Sequence, residues 1–310
     1  MATALAKPAS ATTPRQKRRR ARQNLWALLF LSPWIVGFLV FTAGPMLASL
    51  DLSFTDYDAL STPHWIGVDN YRRMFTDDPT FIKSLVVTGV YVGVGVPLEL
   101  AVALAVAVAL NRGLRGLGFY RSVLYLPSLF GGSVAVAVLW RRIFSADGLV
   151  NDLLSLVGLH GPAWISDPSY ALGTLIVLEA WQFGAPMVIF LAGLRQIPTE
   201  FYDAAAVDGA GAWQRFRRVT LPLLSPVIFF NLVLQVIRGF QAFAPAFIVS
   251  SGTGGPLDST MFYSLYLYRE GFMNFHMGYA AALAWFLLLV AAVLTAVNFL
   301  LSQFWVHYGD

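Results

Sequence analysis

The sequence predicts an all-α, polytopic membrane protein with six transmembrane helices and both termini on the cytoplasmic side (N-in/C-in). Three observations predict it. Apolar segments long enough to cross a bilayer recur along all 310 residues. Charged residues make up only 12% of the chain, against 57% hydrophobic, about half the charged share of soluble domains; the mean hydropathy is +0.63. The basic residues also alternate in position. The N-terminal tail, the 111–121 turn and the 195–220 loop hold 7, 3 and 4 Lys or Arg, while the three opposite loops hold six: Arg72, Arg73, Lys83, Arg141, Arg142 and Arg269. Positively charged loops stay inside, so the tail and the 195–220 loop are placed in the cytoplasm.

Residues 1–24 are rich in Ala, Thr and Arg and lack apolar periodicity, which reads as a disordered basic cytoplasmic tail that suits anionic lipid rather than nucleic acid. The membrane domain is expected over 25–307. Its first span, 25–50, is too long for a signal-peptide core and lacks a small-residue cleavage site. A polar stretch, 51–80, carries six Asp. Further spans are expected at 81–110, 119–140, 170–194, 223–249 and 279–304, with a glycine-containing loop at 141–169. Gly89 and Gly93 form a GxxxG pair in the second span, a spacing that permits close helix contact but is common by chance.

Enzymatic chemistry finds little support. The chain has no Cys, and His64, His160, His276 and His307 stand apart without metal-ligand spacing, so no metal site is expected. There is no GxxxxGK(S/T), so this chain cannot cradle nucleotide phosphates as a P-loop does. The ionisable residues inside spans are Glu99, Glu179 and Arg238. A charge at bilayer depth costs at least about 2.5–3.5 kcal/mol, so each needs a partner or a watery path. Asn231, Gln235 and Arg238 recur at i, i+4, i+7, and Glu179 and Gln182 stand three apart. These five are the candidate substrate path, with Glu179 and Arg238 expected close enough to pair. A purely structural ion pair is the plainer alternative.

The 196–222 loop is the polar stretch between the fourth and fifth spans. Thr199 is placed to cap a helix that has Glu200 and Asp203 in its first turn. Ala204, Ala205 and Ala206 continue it and Gly209 ends it. A second short helix is expected over 212–218, with Pro222 ending the unit. Local physics allows either a specialised loop or an ordinary amphipathic one at the membrane surface.

The spacing of this loop supports a family name. Asp203-Ala204-Ala205, then Gly209 after three residues, then Val219-Thr220-Leu221-Pro222 after nine, resembles the EAA motif (EAA-x3-G-x9-I-x-LP) of permease subunits in binding-protein-dependent ABC importers. Asp203 stands for Glu and Val219 for Ile. IGVDNYRRMF at 66–75, Pro45, Arg121 with LYLP at 124–127, Trp140, Gly148, Asn151, TGGP at 253–256 and GYAAAL at 278–283 extend the likeness to the maltose and glycerol-3-phosphate class.

The resemblance implies a type I ABC importer permease architecture in the bacterial inner membrane. It implies that Asp203, Ala204, Ala205, Asp208, Gly209, Val219, Leu221 and Pro222 couple the chain to a cytoplasmic ATPase. The implied partners are a second homologous permease subunit, two ATPase subunits and a periplasmic or lipid-anchored solute-binding protein. No cofactor is expected on this chain, with ATP and Mg held by the ATPase. A stand-alone ion-coupled transporter or channel is the rival from another class, since intramembrane Glu and Arg could serve proton coupling.

Overall fold

The computed structural model describes residues 29–111 and 116–307; the expected basic tail lies outside them. The regular elements among the described residues are helices, and one isolated antiparallel bridge joins Thr55 and Trp65. The chain divides into two units, at Leu52 and Ser53. The first holds α1, Leu29–Leu52, whose middle widens into a π turn at Leu39–Ala43.

The second unit is built around α3, Pro79–Leu110, preceded by the short α2, Asp69–Thr76. Asp78 starts α3 by accepting a hydrogen bond from the Phe81 N–H at 3.0 Å, and Pro79 supplies a first residue that needs no donor. At 32 residues, α3 is about 48 Å long and overreaches the roughly 30 Å hydrocarbon core. Its buried face includes Phe81, Tyr91, Val96, Ala103 and Ala107. Against it pack α7 (Pro168–Trp181), α8 (Gly184–Gln196) and α11 (Leu221–Phe240).

Among the described residues, four helical stretches are long and apolar enough to cross a membrane: Leu29–Leu52, Pro79–Leu110, Ala212–Val249 and Met277–Ser302. Two bent pairs bring the number to six if each counts as one span. The third expected span is not one straight helix. α4 (Leu117–Phe130) and α5 (Val134–Ile143) meet at 94°. Gly131 and Gly132 interrupt the apolar run, and the Ser133 hydroxyl caps α5 by accepting from the Val136 N–H at 3.3 Å. The fourth span bends by 41° between α7 and α8. The expected loop after Trp140 instead begins with the last turn of α5 and contains α6, Leu149–Leu156. Gly89 and Gly93 have open space where a side chain would start and make no close helix contact in this chain.

One end of the second unit is a polar knot formed by 53–78 and 256–279. Buried Asn70 donates through Nδ2 to the Ser53 and Thr55 carbonyls at 2.9 and 2.8 Å. Asp78 accepts from the hydroxyls of Tyr266 and Tyr279, and burial together with the bond to Asp78 pushes the Tyr266 hydroxyl up, keeping it a neutral donor. Arg73 lies 4.1 Å over the Tyr279 ring and 3.6 Å from Glu270, which also meets His276 at 2.8 Å. Asn70→Ala removes two hydrogen bonds made in a buried setting and is expected to cost about 2–3 kcal/mol. The check is a lower unfolding midpoint of the purified complex; an unchanged midpoint would place the knot's stability elsewhere.

At the opposite end, the His307 N–H donates to the Ser225 hydroxyl at 2.8 Å, so the last helix, Met277–Ser302, finishes beside the root of α11. The 196–222 loop therefore lies at the same end as the C-terminal residues of the described chain.

Candidate functional site

The loop between the fourth and fifth spans folds as α9, Thr199–Val207, and α10, Ala212–Arg215. Thr199 is the first helical residue rather than the cap: Pro198 occupies the cap position and its carbonyl accepts from Phe201 at 3.4 Å. The stop at Gly209 is a Schellman closure. The Gly209 N–H reaches the Ala206 carbonyl at 3.0 Å and the Ala210 N–H reaches the Ala205 carbonyl at 2.9 Å. Gly209 has φ +75°, a left-handed conformation that glycine adopts without strain.

Pro222 does not end the second helix. α10 passes through a π turn, Phe216–Thr220, directly into α11. Pro222 has no N–H for an ordinary helical bond, and the wide turn before it closes instead with the Leu221 N–H on the Phe216 carbonyl. The loop is also tied to its own root. The Tyr202 hydroxyl of α9 lies 3.1 Å from Thr220 Oγ1, and Trp213 stacks on Phe216 at 5.6 Å. Asp203, Ala204 and Asp208 are exposed, and so are Phe201, Val207 and Trp213 at 49, 89 and 70%. Large apolar groups left open beside a rigid turn make a surface suited to a partner.

Deeper in the unit, a cavity of about 490 Å³ opens between α3, α4, α7 and α11. Its polar lining is Tyr91, Glu99, Ser128, Glu179, Gln182, Gln235, Arg238 and Gln241. The bends in the third and fourth spans shape it. Ser128 donates to the Gln182 carbonyl at 2.6 Å and accepts from the Ala185 N–H at 2.8 Å, so its hydroxyl takes up the backbone groups freed where α7 breaks from α8. Gly184 allows that approach, since a Cβ there would stand 2.6 Å from the Leu124 carbonyl oxygen and 2.8 Å from Ser128 Oγ. At Gly131, in the bend of the third span, a Cβ would overlap the Gln182 side chain.

The Tyr91 hydroxyl donates to Glu179 Oε2 at 2.6 Å, and Gln235 Nε2 donates to Glu99 Oε1 at 2.6 Å. Arg238 Nη1 reaches Gln235 Oε1 at 3.4 Å.

The chain is similar over most of its length to known proteins. The family described as binding-protein-dependent transport system inner membrane component matches residues 81–306. The chain belongs to this family. It is an ABC transporter permease subunit. The probable ABC transporter permease protein YesP of Bacillus subtilis (strain 168) is 52% identical over 95% of this chain and 96% of its own length. The lactose transport system permease protein LacF of Rhizobium radiobacter is 35% identical over 93% and 97%. A solved bacterial ABC transporter involved in import of the acidic polysaccharide alginate superposes with a TM-score of 0.79, at 25% identity over 93% of this chain and 98% of that one.

In this permease the expected path residues separate. Glu179, Gln182, Gln235 and Arg238 share the cavity. Asn231 does not: it is buried and donates from Nδ2 back to the Val227 carbonyl at 3.1 Å on its own helix. Glu179 and Arg238 do not form the expected ion pair; among the described residues the ion pairs are Arg73–Glu270 and His276–Glu270. The hydroxyl of Tyr91 holds Glu179 instead. Tyr91, Ser128, Gln241 and the placing of Glu99 are additions. Glu99 stood out as a buried acid, but nothing in spacing linked it to Gln235, 136 residues away.

Proposed function

We propose that this permease carries a carbohydrate or sugar-like solute through the Glu179–Gln182–Gln235–Arg238 cavity, driven by ATP hydrolysis in partner subunits. The cavity is the observation that carries the reading. Its carboxylate, amide, guanidinium and hydroxyl groups both donate and accept hydrogen bonds, as a polyhydroxylated solute requires. The lactose and alginate systems among its relatives support the same solute class. Asn231 supports the wall from behind in this reading.

The loop carrying Asp203, Ala204, Ala205, Asp208, Gly209, Val219, Leu221 and Pro222 is the docking element for a cytoplasmic ATPase. Its small residues permit close backbone approach and its exposed apolar groups supply contact area. ATP and Mg belong to that ATPase, and this chain holds no cofactor. The positive-charge count favours both termini on the cytoplasmic side. The working assembly is this chain, a second homologous permease, two ATPases and a solute-binding protein, which the family's description already ties to transport. ATP-driven closure of the ATPases moves the rigid loop and switches the spans between two access states.

The test is uptake by the reconstituted assembly of labelled lactose, maltotriose and an alginate disaccharide, with and without ATP. ATP-dependent accumulation of at least one is expected. Uptake by this chain alone along an ion gradient would overturn the ATPase role, and rejection of all three would overturn the carbohydrate reading.

A further inference from the structure

Glu99 sits in the middle of α3, 2% exposed, at the wall of the cavity. The transport reading does not use it. Burying a carboxyl group is costly unless its oxygens are satisfied. One is: Glu99 Oε1 accepts from Gln235 Nε2 at 2.6 Å. The other, Oε2, is buried without a hydrogen-bond partner.

Gln235 thus presents its NH2 group to α3, with the Glu99 oxygen as acceptor. The amide oxygen is then directed the other way, where Arg238 Nη1 meets it at 3.4 Å. Arg238 is exposed to the cavity and no carboxylate pairs with it among the described residues. Its guanidinium is therefore oriented by a relay, from Glu99 through the Gln235 amide. Without the Glu99 acceptor, the amide could turn over and set its NH2 group against the guanidinium, two donors facing each other.

We propose that Glu99 is a positioning residue for solute recognition: it fixes the Gln235 amide, which aims Arg238 at the solute. This rests on the carbohydrate reading above. Its chemistry predicts that any acceptor of the same shape will serve, and that an apolar side chain will not.

The test uses the complete complex in proteoliposomes, with saturating loaded binding protein and whichever of lactose, maltotriose or the alginate disaccharide the unmodified complex carries fastest. Glu99→Met removes the acceptor at similar volume. Uptake is expected to fall about tenfold, the effect of losing one hydrogen bond to a charged group. Glu99→Gln keeps an acceptor for Gln235 and should stay close to the unmodified rate.

Arg238→Gln should fall as far as Glu99→Met, and the double variant no further, because both changes remove the same interaction. The unfolding midpoint of Glu99→Met should fall somewhat, because the buried Gln235 NH2 group loses its acceptor, so the assignment is decided by the uptake rates. A merely structural Glu99 would add its loss to that of Arg238→Gln. That result, or an unchanged rate in Glu99→Met, would overturn the assignment. If the unmodified complex carries none of the three sugars, the carbohydrate reading fails and takes this one with it.

Discussion

Gly209→Pro is expected to bring ATP-dependent uptake down to background while leaving the amount of membrane-inserted chain unchanged. Gly209 has φ +75° and donates its N–H to the Ala206 carbonyl at 3.0 Å. Proline holds φ near about −65° and has no N–H, so it can supply neither. The Schellman closure must open, and α9 then leaves its place relative to α10. Gly209→Ala is the graded control. An alanine in the left-handed region costs about 1–2 kcal/mol, so it should reduce uptake without abolishing it. The change lies in an exposed turn with open space around it, so membrane insertion and packing of the spans should survive. The readout is uptake per inserted complex, together with ATPase retained on purification. Normal uptake in Gly209→Pro would end the coupling role of this loop.

Gly184→Val is expected to give the largest loss of stability. The added Cβ would stand 2.6 Å from the Leu124 carbonyl oxygen, 2.8 Å from Ser128 Oγ and 2.8 Å from Tyr125 Cα. Two of these three are backbone atoms, which cannot rotate away. α4 and α8 must separate, and Ser128 then loses the Gln182 carbonyl and the Ala185 N–H together. Overpacking and two exposed backbone groups amount to something on the order of 3–5 kcal/mol. The purified complex should unfold on the order of 5–10 °C lower. Ser128→Ala, which loses the hydrogen bonds without the overlap, should fall between this variant and the unmodified complex. An unchanged midpoint in Gly184→Val would mean that the two helices do not meet at this glycine.

The parts of this fold that were legible in the sequence are those set by length and spacing. Apolar runs announced the spans, and the Asp203–Pro222 spacing announced the loop and the family. The 94° break in the third span was not legible: Gly131, Gly132 and Ser133 sit inside an apolar run, where small residues are ordinary. The passage through Pro222 was missed because proline usually ends a helix, and only a wide turn just before it changes that. In the cavity, charge drew attention to Glu179 and Arg238, and helical spacing grouped Asn231 with Gln235. Their partners were hidden for a topological reason. Tyr91 meets Glu179 across 88 residues and Ser128 meets Gln182 across 54, and neither Tyr nor Ser is unusual in a span. Helical spacing also could not tell that Asn231 turns back onto its own helix.

The π turn at Phe216–Thr220 sets a phase. An α-helix advances about 100° per residue, and a π turn accommodates one residue more than an α turn. The azimuth of Trp213 and Arg215 at the loop is thereby offset from that of Gln235 in the cavity wall. One continuous rod presents two faces whose angle is fixed by a single extra residue, much as an offset keyway aligns two gears on one shaft.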